Sequence, residues 1–121
     1  RVLVDTESSV DVLFYDAFIR IRIASECLRK VETLLTGFEG RSVSAEGVIT
    51  LPVMAGAPPW CVRVYLTFMV VKVHSAHNAI IGQPGLSTLQ AVVSIPCLKL
   101  KFPTPHGVGQ LCGDQTIARQ C

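Results

Sequence analysis

Three short segments of this chain carry residue types that could act together. Val4-Asp5-Thr6-Glu7-Ser8-Ser9 sets an acid at the end of an apolar strand, with three hydroxyl side chains close behind it. Burial favours the neutral form of such a carboxyl, and hydrogen bonds from N–H groups favour the charged one, so its surroundings decide whether it gives or takes a proton. Taken alone, an acid before a helix is usually a cap. Ala79-Ile80-Ile81-Gly82-Gln83-Pro84 ends an apolar pair on a glycine. Glycine has no side chain to hold a neighbouring backbone away, so Ile80, Ile81 and Gly82 can pack directly behind an acid-bearing loop. Taken alone, this is a strand followed by a turn. The third segment is the loop from Gly37 to Gly47, with Phe38, Gly40, Ser42, Val43 and Ser44 in or beside it. Small residues between two strands suit a mobile lid, although any surface hairpin has them.

Two other spacings carry no chemistry. His74 and His77 are spaced His-x-x-His with no third donor nearby, which is too few for a metal site. Gly107, Gly109 and Gly113 miss dinucleotide-fingerprint spacing and follow no buried strand. The five cysteines (Cys27, Cys61, Cys97, Cys112, Cys121) are odd in number and contain no Cys-x-x-Cys pair, so free thiols in a reducing compartment are expected.

The elements that would position these residues are mostly strands. Val2-Leu3-Val4 reads as a strand running straight into Asp5. Ser8 or Ser9 then caps a short helix through Val12, Leu13, Tyr15, Phe18 and Ile19, with Ser8-x-x-Asp11 as a capping box. A second helical turn or two is expected from Ser25 to Val31. Residues 34–40 and 47–53 read as strands flanking the glycine-bounded loop. Gly56-Ala57-Pro58-Pro59 reads as a turn. Val62, Val64, Leu66, Phe68 and Val70 recur with period two, which is a strand. Ala79 to Gly82 is a short buried strand, Pro84 to Ala91 a short helix, and Leu98 to Phe102 a final strand. From Pro103 onward Pro, Gly and polar residues dominate, so 1–103 is expected as the folded domain and 104–121 as a linker.

Composition narrows the function classes. The 121 residues fit one small domain, and half of them are apolar, enough for a core that dimerisation would supplement. A net charge of +2 with only 17% charged residues gives no basic face for nucleic acid. The longest apolar stretch, Val62 to Val73, is interrupted by Arg63, Thr67 and Lys72 and is no membrane span. Arg1-Val2-Leu3-Val4 is too short for a charged region plus an apolar core, so no secretory signal is expected in this stretch.

Together, the segments resemble one family. Val2-Leu3-Val4-Asp5-Thr6-x-Ser8-Ser9 followed by Leu13-Phe14-Tyr15-Asp16-Ala17-Phe18 resembles the catalytic segment of the retropepsin-like aspartic proteases of plant gypsy-type retrotransposons. Gly47-Val48-Ile49-Thr50-Leu51-Pro52-Val53, Asn78 to Pro84 and Leu98 to Thr104 match that family in order and spacing. So does the tail Gly107-Val108-Gly109 followed by Gly113-Asp114-Gln115, so the resemblance covers nearly the whole chain. It implies an all-β fold with short helices, a retropepsin-like closed β-barrel lacking its N-terminal strands.

The resemblance further implies an aspartic endopeptidase that processes a polyprotein, without cofactor or metal, inside the cell or in retrotransposon particles. Its partners would be a second copy of the chain and an extended peptide substrate. Each subunit would contribute Asp5 to a shared pair holding one proton, because two close carboxyls cannot both ionise easily. Thr6 would brace the two loops across the dimer, Ser8 would donate to a catalytic carboxylate, and the 37–47 hairpin would close over the substrate. Glu7 departs from the pattern, standing where the family has glycine. At ~5 Å and an effective dielectric of ~20, each added like-charge pair would cost roughly 3 kcal/mol, less if the carboxylate turns to water. His77, where an aromatic residue is usual, and Gln83, where arginine is common, are milder departures. An inactive remnant and a non-catalytic peptide-binding or dimerisation barrel therefore stay open as alternatives.

Overall fold

Alternation of apolar and polar residues builds most of this protein as strands. The computed structural model describes residues 1–30, 34–38, 41–94, 96 and 98–113, with the backbone alone described at 25, 34–38 and 41–44. In chain order the elements are β1 (Val2–Val4), β2 (Asp11–Phe14), α1 (Tyr15–Arg20), a single 3₁₀ turn (Ser25–Cys27), β3 (Leu34–Phe38), β4 (Arg41–Ala57), β5 (Trp60–Val71), β6 (Ala79–Ile81), α2 (Gln83–Leu89), β7 (Val92–Ser94), β8 (Lys99–Thr104) and β9 (Gly107–Cys112). Strands β1 to β6 form one sheet in the order β1-β6-β2-β5-β4-β3, and β7-β8-β9 form a second. No helix among the described residues is long and apolar enough to cross a membrane.

The chain divides into two units. The first comprises Arg1–Leu51 and Leu66–Gly85. In it, β6 lies between two strands from the start of the chain, parallel to β1 and antiparallel to β2. Val2, Leu3 and Val4 face Ala79, Ile80 and Ile81 in register. β2 is paired on both edges, by β6 and by the parallel β5, and all four of its residues are buried. Val12, Phe14 and Val71 form a core there, with Val10, Val73 and Ile80 packed against them. Fully burying such aliphatic and aromatic side chains contributes roughly 1.5–3 kcal/mol each.

The second unit comprises Pro52–Tyr65 and Leu86–Cys121. Its core is Ala55, Leu89, Leu100 and Phe102, lined by Val62, Val64, Leu86, Ala91 and Val93. β8 alternates strictly, with Leu100 and Phe102 inward and Lys99 and Lys101 in solvent. Lys99 through Thr104 pair antiparallel with Cys112 through Gly107.

Several sequence expectations need correction. Ser8 and Ser9 start no helix: 11–14 is strand, and α1 begins at Tyr15 behind an extended Phe14 with no side-chain cap. Its ends are instead suited to the helix dipole, with Asp16 in the first turn and Arg20 in the last. The Ser8-x-x-Asp11 capping box does not form. The Ser8 hydroxyl closes a local turn, donating to the Val10 carbonyl at 2.7 Å and accepting the Val10 N–H at 3.4 Å, while Asp11 turns inward. The helix expected from Ser25 is one 3₁₀ turn, after which Arg29 bridges to Val48; Val31 lies outside the described residues. The wide loop from 37 to 47 is in fact mostly ladder. Leu34, Leu35 and Phe38 pair with Ser44, Val43 and Arg41, with a register shift between Leu35 and Phe38. The 104–121 linker also needs redrawing, because residues 104–112 carry the end of β8 and all of β9; residues 114–121 lie outside the described residues.

Candidate functional site

The site is built where β1 ends beside β6. Pairing of Val4 with Ile81 brings the chain to Asp5, whose N–H continues the ladder by donating to the Ile81 carbonyl at 2.9 Å. Four residues, 5–8, then make a tight turn closed by the Ser8 N–H on the Asp5 carbonyl at 3.2 Å. Inside it, the Glu7 N–H donates to Asp5 Oδ1 at 3.0 Å. The Asp5 carboxylate is therefore oriented by its own loop and is half-buried, while Thr6 and Glu7 are exposed and Ser8 is half-buried.

The residues after β6 clamp this turn from behind. Gln83 N–H donates to the Ser8 carbonyl at 2.8 Å, and Gln83 Nε2 donates to the Thr6 carbonyl at 3.1 Å. Between Ile81 and Gln83, Gly82 is wedged against the loop: a Cβ there would lie 2.4 Å from the Val10 carbonyl oxygen and 2.7 Å from that of Ser8. Those are backbone atoms that cannot rotate aside, so Gly82 has room for no side chain against residues 8–10.

Asp11, which the sequence reading used only as a cap, emerges as part of this assembly. It is 2% exposed, and its Oδ1 accepts the N–H groups of Gly82 at 2.7 Å and Gly85 at 3.1 Å. Burial pushes its carboxyl above the ordinary value of 3.8, and the two backbone hydrogen bonds pull in the opposite direction. A signal for it did exist in the sequence: Asp11 is a lone charge in the apolar run Val10 to Phe14, and a buried charge needs donors.

The fold thus brings Asp5, Thr6, Glu7 and Ser8 together with Ile80, Ile81 and Gly82. Ser8 is engaged with its own loop through Val10. Gly37 and Phe38 lie in β3, and Ser42, Val43 and Ser44 in β4. In pairing order β3 is at the opposite edge of the sheet from β1. Gly40 lies outside the described residues. His74 is exposed, with Nδ1 3.8 Å from Asp16 Oδ2. Among the described residues no three His, Cys, Asp or Glu side chains converge as metal ligands.

No family model matches the sequence, and no curated protein matches it. Among solved structures the chain is similar to the retroviral protease-like domain of Ddi1 from Leishmania major. The TM-score is 0.62 at 16% identity, over 91% of this chain and 78% of that one. At that identity the likeness is one of fold, and it agrees with the strand-dominated architecture: the protein has a retropepsin-like fold.

Proposed function

We propose that the chain is an aspartic endopeptidase domain that works as a homodimer, each copy supplying Asp5. One observation carries the reading. Asp5 is presented at a strand end with its carboxylate oriented by the Glu7 N–H and still open to solvent, whereas the neighbouring acid, Asp11, is buried and occupied by backbone donors. Of Asp5 and Asp11, a single copy therefore offers only Asp5 as a usable carboxyl, and a mechanism with two aspartates takes its second from another copy. In the shared pair, the ionised carboxylate takes a proton from water as the water oxygen bonds to the scissile carbonyl carbon. The protonated carboxyl donates to the carbonyl oxygen. Collapse of the tetrahedral intermediate breaks the C–N bond, and the amine leaves with a proton from the pair. An extended peptide would be held by main-chain hydrogen bonds, as in strand addition, beneath the β3–β4 hairpin. The sequence resemblance to gypsy-type proteins extends the proposal to processing of an intracellular polyprotein.

Glu7 favours a second reading, in which the same fold binds peptide or dimerises without cleaving. Its carboxylate is two residues from Asp5, where it would add like charge to the pair. The exposed position of its side chain weakens that effect and favours the enzymatic reading. Cleavage of a fluorogenic peptide library at mildly acidic pH separates the two. Activity lost in Asp5→Asn supports the endopeptidase. Activity appearing only in Glu7→Gly identifies an inactive form of the same machinery. Peptide binding by a defined dimer, without cleavage by either protein, supports the binding reading.

A further inference from the structure

We propose that Asp11 is the positioning residue of the Asp5 loop, anchoring the junction of β6 and α2 at 81–85 so that this junction grips residues 5–8. The proposal takes the importance of Asp5 from the endopeptidase reading; the anchoring itself rests on geometry. The three residues that hold the loop are consecutive. Ile81 accepts the Asp5 N–H, Gly82 packs against the Ser8 and Val10 carbonyls, and Gln83 donates to Ser8 and Thr6. The central one, Gly82, is tied down by Asp11 across 71 residues of sequence, and Gly85 is tied to the same oxygen. An apolar residue at 11 would suit this fully buried strand better by desolvation alone, and it would leave two glycine N–H groups without an acceptor. Gly85 fits closely here, since a Cβ on it would lie 2.8 Å from Ile81 Cγ2 and 2.9 Å and 3.0 Å from the two Asp11 oxygens.

The test is amide hydrogen exchange, residue by residue, on the whole chain and on Asp11→Leu, Asp11→Asn and Gly85→Ala. Asp11→Leu is expected to speed exchange at Asp5, Gly82 and Gln83 by about tenfold or more relative to β5 amides, a local opening distinct from global unfolding. Asp11→Asn keeps an oxygen acceptor and is expected to stay near the unaltered pattern. If Asp11→Leu does not fold, Gly85→Ala displaces the carboxylate from the other side and is expected to give the same selective effect. Peptide cleavage, measured alongside, should lose kcat by about tenfold at nearly constant KM in Asp11→Leu and recover in Asp11→Asn. Uniform acceleration of all amides, or an unmoved Asp5 amide beside mobile Gly82 and Gly85, overturns the proposal. Absence of cleavage by the unaltered chain counts against the endopeptidase, and the exchange pattern still decides the role of Asp11.

Discussion

Gly82 lies so close to Val10 that a single added methyl would stand 2.4 Å from the Val10 carbonyl oxygen. The obstacle is backbone at two points, since the Ser8 carbonyl oxygen is only 2.7 Å away, so relief would require the end of β6 to move away from residues 8–10. Gly82→Ala is therefore expected to destabilise the fold by about 2 kcal/mol or more, as overpacking against rigid neighbours does. A shift of the urea midpoint to lower concentration with unchanged slope would register this; an unshifted midpoint would contradict the close approach.

Asp11 gives stability a distinctive dependence on pH. Burial raises its folded-state pKa above 3.8, with no charged neighbour contributing, so the folded protein holds this proton more tightly than the unfolded chain. The contribution is fully present below the unfolded value and is lost as pH rises through the folded one. Other carboxyls titrate nearby, so the informative quantity is a difference. Subtracting the Asp11→Asn melting profile from that of the unaltered chain, between about pH 3 and about pH 7, should isolate a component that falls with rising pH. A flat difference would mean that Asp11 has the same proton affinity folded and unfolded.

Glu7 is expected to tune activity without being needed for the fold. Its side chain is exposed, and its contribution to the loop is a main-chain N–H that any residue but proline supplies. Glu7→Gly should leave the melting temperature within a few degrees and raise kcat/KM by about twofold to fivefold, the modest gain expected from removing screened repulsion at an exposed position. Equal rates for the two proteins would show that this carboxylate stays clear of the reacting centre.

Ending the chain after Pro103 offers a direct check on the domain boundary. The cut removes β9 and every ladder partner that β8 has on that side, next to Phe102, which is 1% exposed. Phe102→Ala alone should cost about 3–5 kcal/mol. The shortened chain should therefore lose cooperative unfolding by calorimetry, whereas cutting after Gly113 should preserve it.

Much of this was legible in the sequence where periodicity and local chemistry agree. The alternation through Val62 to Val70 specified β5, and Ile80-Ile81-Gly82 specified a strand ending in a close contact. Two kinds of information were hidden. Ser8, Ser9 and Asp11 are good capping residues, and local reading sent them into a helix; pairing of β2 on both edges overrides that preference. The tail from Pro103 is rich in Pro and Gly, which reads as linker, yet Gly107, with φ of 128°, fits the tight turn between β8 and β9. Asp11 stands out as a lone charge in an apolar run, but the local sequence does not show what receives it. Its donors, Gly82 and Gly85, are distant in sequence, and nothing local announces them.

The placement of β6 between β1 and β2 also fixes when the site can exist. Its partners are at the start of the chain, and Val2 meets Ala79 only after most of the first unit has been made. Closing so long a loop is a slow, entropically costly step that local contacts cannot replace. During synthesis Asp5 emerges before residues 79–85 and has no anchored geometry until they arrive. A growing chain therefore carries this loop without the strand that holds it, a delay written into the strand order itself.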